Sequence, residues 1–236
     1  MPETPSHPRF PVPFRFQRVK NARTLPLKAR VKKLLARLDH AYPAAECALT
    51  HANPLQLLVS TILSAQCTDE RVNQVTQTLF QRYRTVKDFA YADPRELEQE
   101  IRPTGFFRNK TRSIIGAAKL LAEKFGGQVP RTMEEMLELP GVARKTANVV
   151  LGTAYEIASG IVVDTHVGRL SHRLDLTKEK DPKKIEQNLM KIIPKEKWIL
   201  ISHQLIWHGR LVCQARKPRC PDCPVEDLCY SKDKTI

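Results

Sequence analysis

Four cysteines, Cys213, Cys220, Cys223 and Cys229, stand in a C-x6-C-x2-C-x5-C pattern. Thiols crowded into one short loop are better read as metal ligands in a reducing compartment than as disulfides. Zinc sites usually pair two short-spaced doublets, and this loop has one Cys-x2-Cys unit, so spacing leaves zinc and an iron–sulfur cluster both open. A second centre lies at Arg144 and Lys145, just after the break Leu139-Pro140-Gly141-Val142-Ala143. Cations in the first turn of a helix oppose its dipole at a cost of about 0.3–1 kcal/mol each when exposed, so something should offset them. A phosphate would do so for Arg144. At Lys145 the positive helix end and partial burial would both favour the neutral amine, which is a nucleophile. Asp164 immediately precedes an apolar periodicity (Val167, Leu170, Leu174) and is placed to cap a helix, a role that fixes one carboxylate oxygen and leaves the other for chemistry.

The elements that must hold these groups are helical. Val31, Leu34, Leu35 and Leu38 share one helical face, as do Ile114, Ala118, Leu121 and Phe125. Asp93-Pro94 and Asp181-Pro182 each set a capping side chain before a proline at the first helical position. The run from Pro54 to Leu63 is apolar on nearly every face, which predicts a helix at the centre of a bundle. Only Ile161 to Val163 reads as strand-like, too short to build a sheet. Thr132-Met133-Glu134-Glu135 has capping-box spacing and opens a short helix whose Met133, Met136 and Leu137 should face inward. A second helix starts near Arg144, with Ala147, Val150, Leu151 and Ala154 on its apolar face. Such a turn aims backbone N–H groups and a helix dipole at one point that suits a phosphate, although an ordinary helical hairpin has the same spacing.

Lys and Arg number 39 against 25 Asp and Glu, a net charge of +14 in 236 residues, which points to a polyanionic partner such as nucleic acid. No apolar run is long enough to span a bilayer and no secretory signal is evident, so an intracellular protein acting where DNA is, without a membrane, is expected. Residues 1–23 carry five prolines and several cations and read as a mobile basic arm.

Leu139 to Leu151, LPGVARKTANVVL, followed by Val163-Asp164-Thr165-His166, resembles the helix-hairpin-helix and catalytic loop of the endonuclease III family, and the likeness extends over about residues 25–230. The resemblance implies an all-α, two-lobed protein: a six-helix barrel with the hairpin at 47–157, and a discontinuous iron–sulfur domain from 24–46 and 158–236, with DNA in the groove between. It implies that Lys145 is the catalytic lysine and Asp164 the catalytic aspartate of a bifunctional glycosylase and abasic-site lyase acting on oxidised pyrimidines. It assigns a [4Fe-4S] cluster to the four cysteines and a DNA-contacting role to Arg216, Lys217 and Arg219 in the same loop. By the same likeness Gln66 fills the gap left by a flipped nucleotide, and Phe106 and Phe107 occupy an intercalating loop.

Gly141, Ala143 and Arg144 would meet a phosphate, and His166 would contact DNA or pack in the pocket. The resemblance implies as partner double-stranded DNA with oxidised pyrimidines or abasic sites, bound by a monomer. The family's hairpin usually reads Gly-Val-Gly, and Ala143 replaces its second glycine, which would be strained if that position needs a positive φ. A monofunctional relative removing adenine or mismatched thymine would activate water instead, and Lys145 argues against it. A non-catalytic DNA-binding module would leave Lys145 and Asp164 unexplained. Asp69 reads with Thr68 as a helix cap, and Cys47 and Cys67 as packing residues.

Overall fold

A computed structural model of the chain describes residues 24–235; the expected basic arm at 1–23 lies outside the described residues. All of the regular structure among the described residues is helical: α1 (Leu27–Ala41), α2 (Pro54–Leu63), α3 (Asp69–Arg82), α4 (Val86–Ala90), α5 (Pro94–Ile101), α6 (Phe107–Lys124), α7 (Met133–Glu138), α8 (Arg144–Tyr155), α9 (Thr165–Arg173), α10 (Pro182–Ile192) and α11 (Trp198–Leu211). None of these helices is long and apolar enough to cross a membrane. The residues group into two compact units. The hairpin unit comprises 46–163 and 194–203, and the cysteine unit 24–45, 164–193 and the chain from 204 onward. Relative to the expected boundaries, 46, 158–163 and 194–203 go with the hairpin unit. Buried bonding accounts for part of that: the Val162 N–H donates to Ser202 Oγ at 3.0 Å, and the Gly152 backbone of α8 approaches Ile199.

The hairpin unit is built around α2, as its uniform apolarity requires. Leu57 to Leu63 are all buried, and α2 packs against α3, α6 and α8. Asn53 caps it, accepting from the Gln56 N–H at 3.0 Å, with Pro54 at the first helical position. Ile114, Ala118 and Leu121 of α6 and Ala147, Val150 and Leu151 of α8 complete the same core, and Cys47 and Cys67 pack partly buried against it. The face expected for α7 is corrected in one place. Met136 is buried and Met133 half-buried, but Leu137 is 45 % exposed, because the inward side of this short helix runs through Met136 to the buried Leu139 that follows it. Ile161 to Val163 form no strand. They are a buried segment without regular structure that leads into α9.

In the cysteine unit, Val31, Leu34, Leu35 and Leu38 of α1 and Val167, Leu170 and Leu174 around α9 are buried as their periodicity predicts. Two arginines of α1 fasten the cysteine loop. Arg37 donates to the Pro224 carbonyl at 3.2 Å and grips the Asp227 carboxylate with both ends of its fork, while Arg30 stacks over the Tyr230 ring at 4.4 Å.

Candidate functional site

Side-chain caps hold the N-termini of α2, α3, α4, α5, α7, α9 and α10, supplied by Asn53, Thr68, Thr85, Asp93, Thr132, Asp164 and Asp181. Such a cap is worth about 1 kcal/mol, so its absence in the same protein carries information. α1, α6 and α8 have none, and none of the three has an acid in its first turn. At α8 the preceding residue is Ala143, and Arg144 and Lys145 follow at once, so dipole and side chains present positive charge together. Gly141 makes the hairpin possible. Its φ of +76° is open to glycine, and a Cβ there would lie 2.5 Å from Ser113 Cβ of α6. The concern over Ala143 disappears in the structure. Its φ of −93° and ψ of 169° are extended, so the methyl group costs no backbone strain.

Lys145 departs from expectation in one respect, since it is exposed and not partly buried. It is the second residue of α8, and the face that turns inward belongs to Ala147, Val150 and Leu151. The amine therefore stands in solvent at the positive end of the helix, directly after the hairpin. Arg144 beside it is half-buried.

Two further turns of the hairpin unit carry the residues expected to probe a duplex. Gln66 is exposed with φ 53°, and Phe106 is 60 % exposed with φ 48°. Left-handed backbone costs an ordinary residue about 1–2 kcal/mol, so these turns hold two side chains outward against a local penalty. Phe107 does something else. Its ring packs against the core and lies under the Arg102 and Arg108 guanidinium groups, at 5.9 and 5.6 Å. The aromatic pair is thus divided between a projecting Phe106 and an anchoring Phe107.

Asp164 caps α9 as its position in the sequence predicts: Oδ1 accepts from the Val167 N–H at 2.8 Å. The residue is half-buried, and Oδ2 is not engaged by that bond. His166 is held by packing. Its Nδ1 accepts from Arg169 at 3.2 Å, burial pushes the ring below its ordinary pKa, and a Cβ on Gly209 would lie 2.8 Å from it. Arg169 also donates to the carbonyls of Gly209 and Cys213, both at 2.9 Å, which fastens the Asp164 helix to the start of the cysteine loop.

The four cysteines line one cavity, together with Arg173, Pro218 and Lys234 among others. Among the described residues, however, no three Cys, His, Asp or Glu side chains are gathered closely enough to grip a single metal ion. Zinc draws its sulfurs to about 2.3 Å from one point. Four thiols around one cavity are a donor set that suits a metal or a metal cluster held by several sulfurs. Arg173 donates to Cys213 Sγ at 3.2 Å and to the Gln214 carbonyl at 2.7 Å. Buried His208 approaches Cys223 Sγ through Nε2 at 3.4 Å and takes the Tyr42 hydroxyl on Nδ1 at 2.7 Å. Burial pushes the free Cys223 and Cys229 thiols up, so electropositive ligation is needed to hold them as thiolates.

Arg216 and Lys217 are exposed on this loop, Lys217 with φ 50°, whereas Arg219 is paired with Asp222 at 2.6 Å. All three expected cations are thus exposed on the loop, Arg219 with Asp222 beside it. Sequence reasoning also passed over Arg169, Arg173, Tyr42 and His208. The run His208-Gly209-Arg210 one turn before Cys213 was an available signal, because a buried histidine and a glycine so close to ligands point to packing around them.

Comparison with known proteins agrees with this arrangement. The sequence model of the HhH-GPD superfamily base excision DNA repair proteins matches residues 59–195. The chain is 56 % identical over 204 residues to endonuclease III of Synechocystis sp., covering 86 % of this chain and 93 % of that protein. Against endonuclease III of Escherichia coli K12 it is 38 % identical over 207 residues, covering 88 % and 98 %. A solved non-covalent endonuclease III–DNA complex superposes with a TM-score of 0.83 at 45 % identity, covering 87 % of this chain and 96 % of that one. A trapped covalent endonuclease III–DNA intermediate superposes equally well at 44 % identity, covering 87 % and 97 %. Matched by that superfamily model over residues 59–195 and by endonuclease III relatives along most of its length, the chain belongs to the endonuclease III family of the HhH-GPD superfamily.

Proposed function

We propose that this protein is a bifunctional DNA glycosylase and abasic-site lyase that removes oxidised pyrimidines from double-stranded DNA as a monomer. The observation that carries the reading is Lys145, an exposed amine in the first turn of an uncapped helix directly behind the Gly141 hairpin. The hairpin and the α8 N-terminus receive a backbone phosphate, which Arg144 helps to neutralise, and Arg216 and Lys217 hold a second stretch of backbone. Gln66 occupies the space of the flipped nucleotide, with an amide that both donates and accepts, and Phe106 wedges the opened step. Lys145 carries the amine that acts as the nucleophile.

Its Nζ attacks C1′, the bond from C1′ to the base breaks, and the base leaves with that electron pair and takes up a proton. Ring opening gives an imine between Nζ and C1′. Loss of a C2′ proton then expels the 3′ phosphate oxygen from C3′, and hydrolysis of the imine returns Lys145. Asp164 acts through the oxygen that does not cap α9, stabilising positive charge on the sugar.

Borohydride reduction on a duplex with one thymine glycol tests this directly. The wild-type protein is expected to become covalently attached to the cleaved strand, since reduction converts the imine to a stable amine. Excision of the base with no adduct would replace this reading with a monofunctional enzyme that activates water.

The resident cofactor we assign is a [4Fe-4S] cluster held by Cys213, Cys220, Cys223 and Cys229. When bound it supplies a rigid, covalently cross-linked anchor, and a structural role follows from the loop it closes, which carries Arg216 and Lys217. Purified protein is expected to contain iron and acid-labile sulfide in equal amounts and no stoichiometric zinc. Cys223→Ser should lose the visible iron–sulfur absorption and lower the melting temperature by about 10 °C, as loss of a structural metal site and its several kcal/mol would do. Zinc with no sulfide would refute the assignment.

A further inference from the structure

The hairpin unit contains a lysine that the chemistry above does not use. Lys110 of α6 is only 4 % exposed, and no carboxylate pairs with it among the described residues' ion pairs. Its ammonium donates instead to two backbone carbonyls, Leu63 O and Thr104 O, each at 2.7 Å. Burying a cation is expensive and burial pushes its pKa down, so a site that keeps one for two carbonyls is using it to fix backbone. Leu63 ends α2, three residues before Gln66; Thr104 lies two residues before Phe106. The backbone N–H of Lys110 donates to the Phe106 carbonyl at 3.1 Å as well. One residue thus joins the two turns that hold Gln66 and Phe106 in left-handed backbone.

We propose that Lys110 is a positioning residue that ties the Gln66 turn to the Phe106 turn, so that both side chains enter an opened duplex as one rigid unit. The idea rests on the roles proposed above for Gln66 and Phe106. Each turn is closed by local bonds of its own, from Cys67 N–H to the Ser64 carbonyl and from Gly105 N–H to the Arg102 carbonyl, both at 3.1 Å, and these do not reach the other turn. The α2 end is followed by a few irregular residues, and Gly105 with φ 70° precedes Phe106. A charge-assisted bond to each removes the freedom they would otherwise lose on meeting DNA. Methionine matches the lysine stem and removes the donors, so Lys110→Met tests the tether with little change in packing.

The readout is duplex opening: 2-aminopurine fluorescence beside a thymine glycol reports unstacking whether or not bond breaking follows. Lys110→Met is expected to slow that rise at least about tenfold, as misplaced positioning groups do. Cutting of a preformed abasic site, counted per trappable molecule, should stay within about threefold of wild type, because less stacking has to be broken there. Equal losses in both assays, or none in either, would overturn the tether. If Lys110→Met does not fold, Gln66→Ala, Phe106→Ala and their combination decide. A rigid pair predicts that the double variant opens DNA hardly more slowly than either single one, whereas multiplying losses refute the coupling. A wild-type protein that unstacks DNA but never traps would strike the lyase assignment and leave this test standing.

Discussion

Lys145→Gln is expected to abolish borohydride trapping and to slow strand cutting at an abasic site by on the order of 10⁴-fold or more, as deleting a catalytic nucleophile does. Glutamine keeps the length and a donor but offers no amine to form the imine. Folding should not suffer, because Lys145 is exposed and contributes nothing to the buried face of α8. The substitution removes a cation from the positive end of a helix, so stability should rise by about 0.3–1 kcal/mol while activity disappears. Binding to a duplex with an uncleavable abasic analogue should weaken by only a few-fold, since the Gly141 turn, Arg144 and the helix end remain. Single-turnover gels and a denaturant melt give both numbers. Substantial cutting by Lys145→Gln, with an adduct, would mean that another amine is the nucleophile; substantial cutting without one would remove Schiff-base chemistry altogether.

That expectation was legible in the sequence for a physical reason. A cation directly after a helix-breaking turn is unfavourable by itself, and the structure retains the conflict, with no cap on α8 and no acid in its first turn. The helices were legible too, since Pro54 to Leu63 could be buried on all sides only at a centre, and Asp93, Asp164 and Asp181 announced their helix starts.

What stayed hidden depends on folding in three dimensions. Whether Phe106 or Phe107 projects is set by the left-handed residue before α6, and Phe107 then points into the core. Lys110 resembles any lysine on a polar helix face until α2 and the Thr104 turn bring two carbonyls to it. Partial burial of Lys145 was expected from its neighbours and did not occur, because the first turn of α8 starts at the surface of its unit. Asp222 pairs with Arg219 at the surface, a neighbour that spacing alone did not single out.

Asp164 shows how a structural and a chemical role can be separated when one residue holds both. The cap uses Oδ1 on the Val167 N–H, and asparagine caps helices about as well as aspartate, so Asp164→Asn should keep α9 in place with only the charge–dipole contribution, about 0.3–1 kcal/mol, lost. Asp164→Ala removes the acceptor and should cost about 1 kcal/mol more. Catalysis should rank them differently. Both lack the carboxylate charge that faces a developing positive centre on the sugar, and both should excise thymine glycol about 10²–10³-fold more slowly in single turnover, the usual loss when one such electrostatic group is removed. Stability would then separate Asn from Ala while rate would not. If Asp164→Asn instead excises at the wild-type rate and only Asp164→Ala is slow, the residue serves the reaction solely by holding α9, with Arg169 carrying that order on to the cysteine loop.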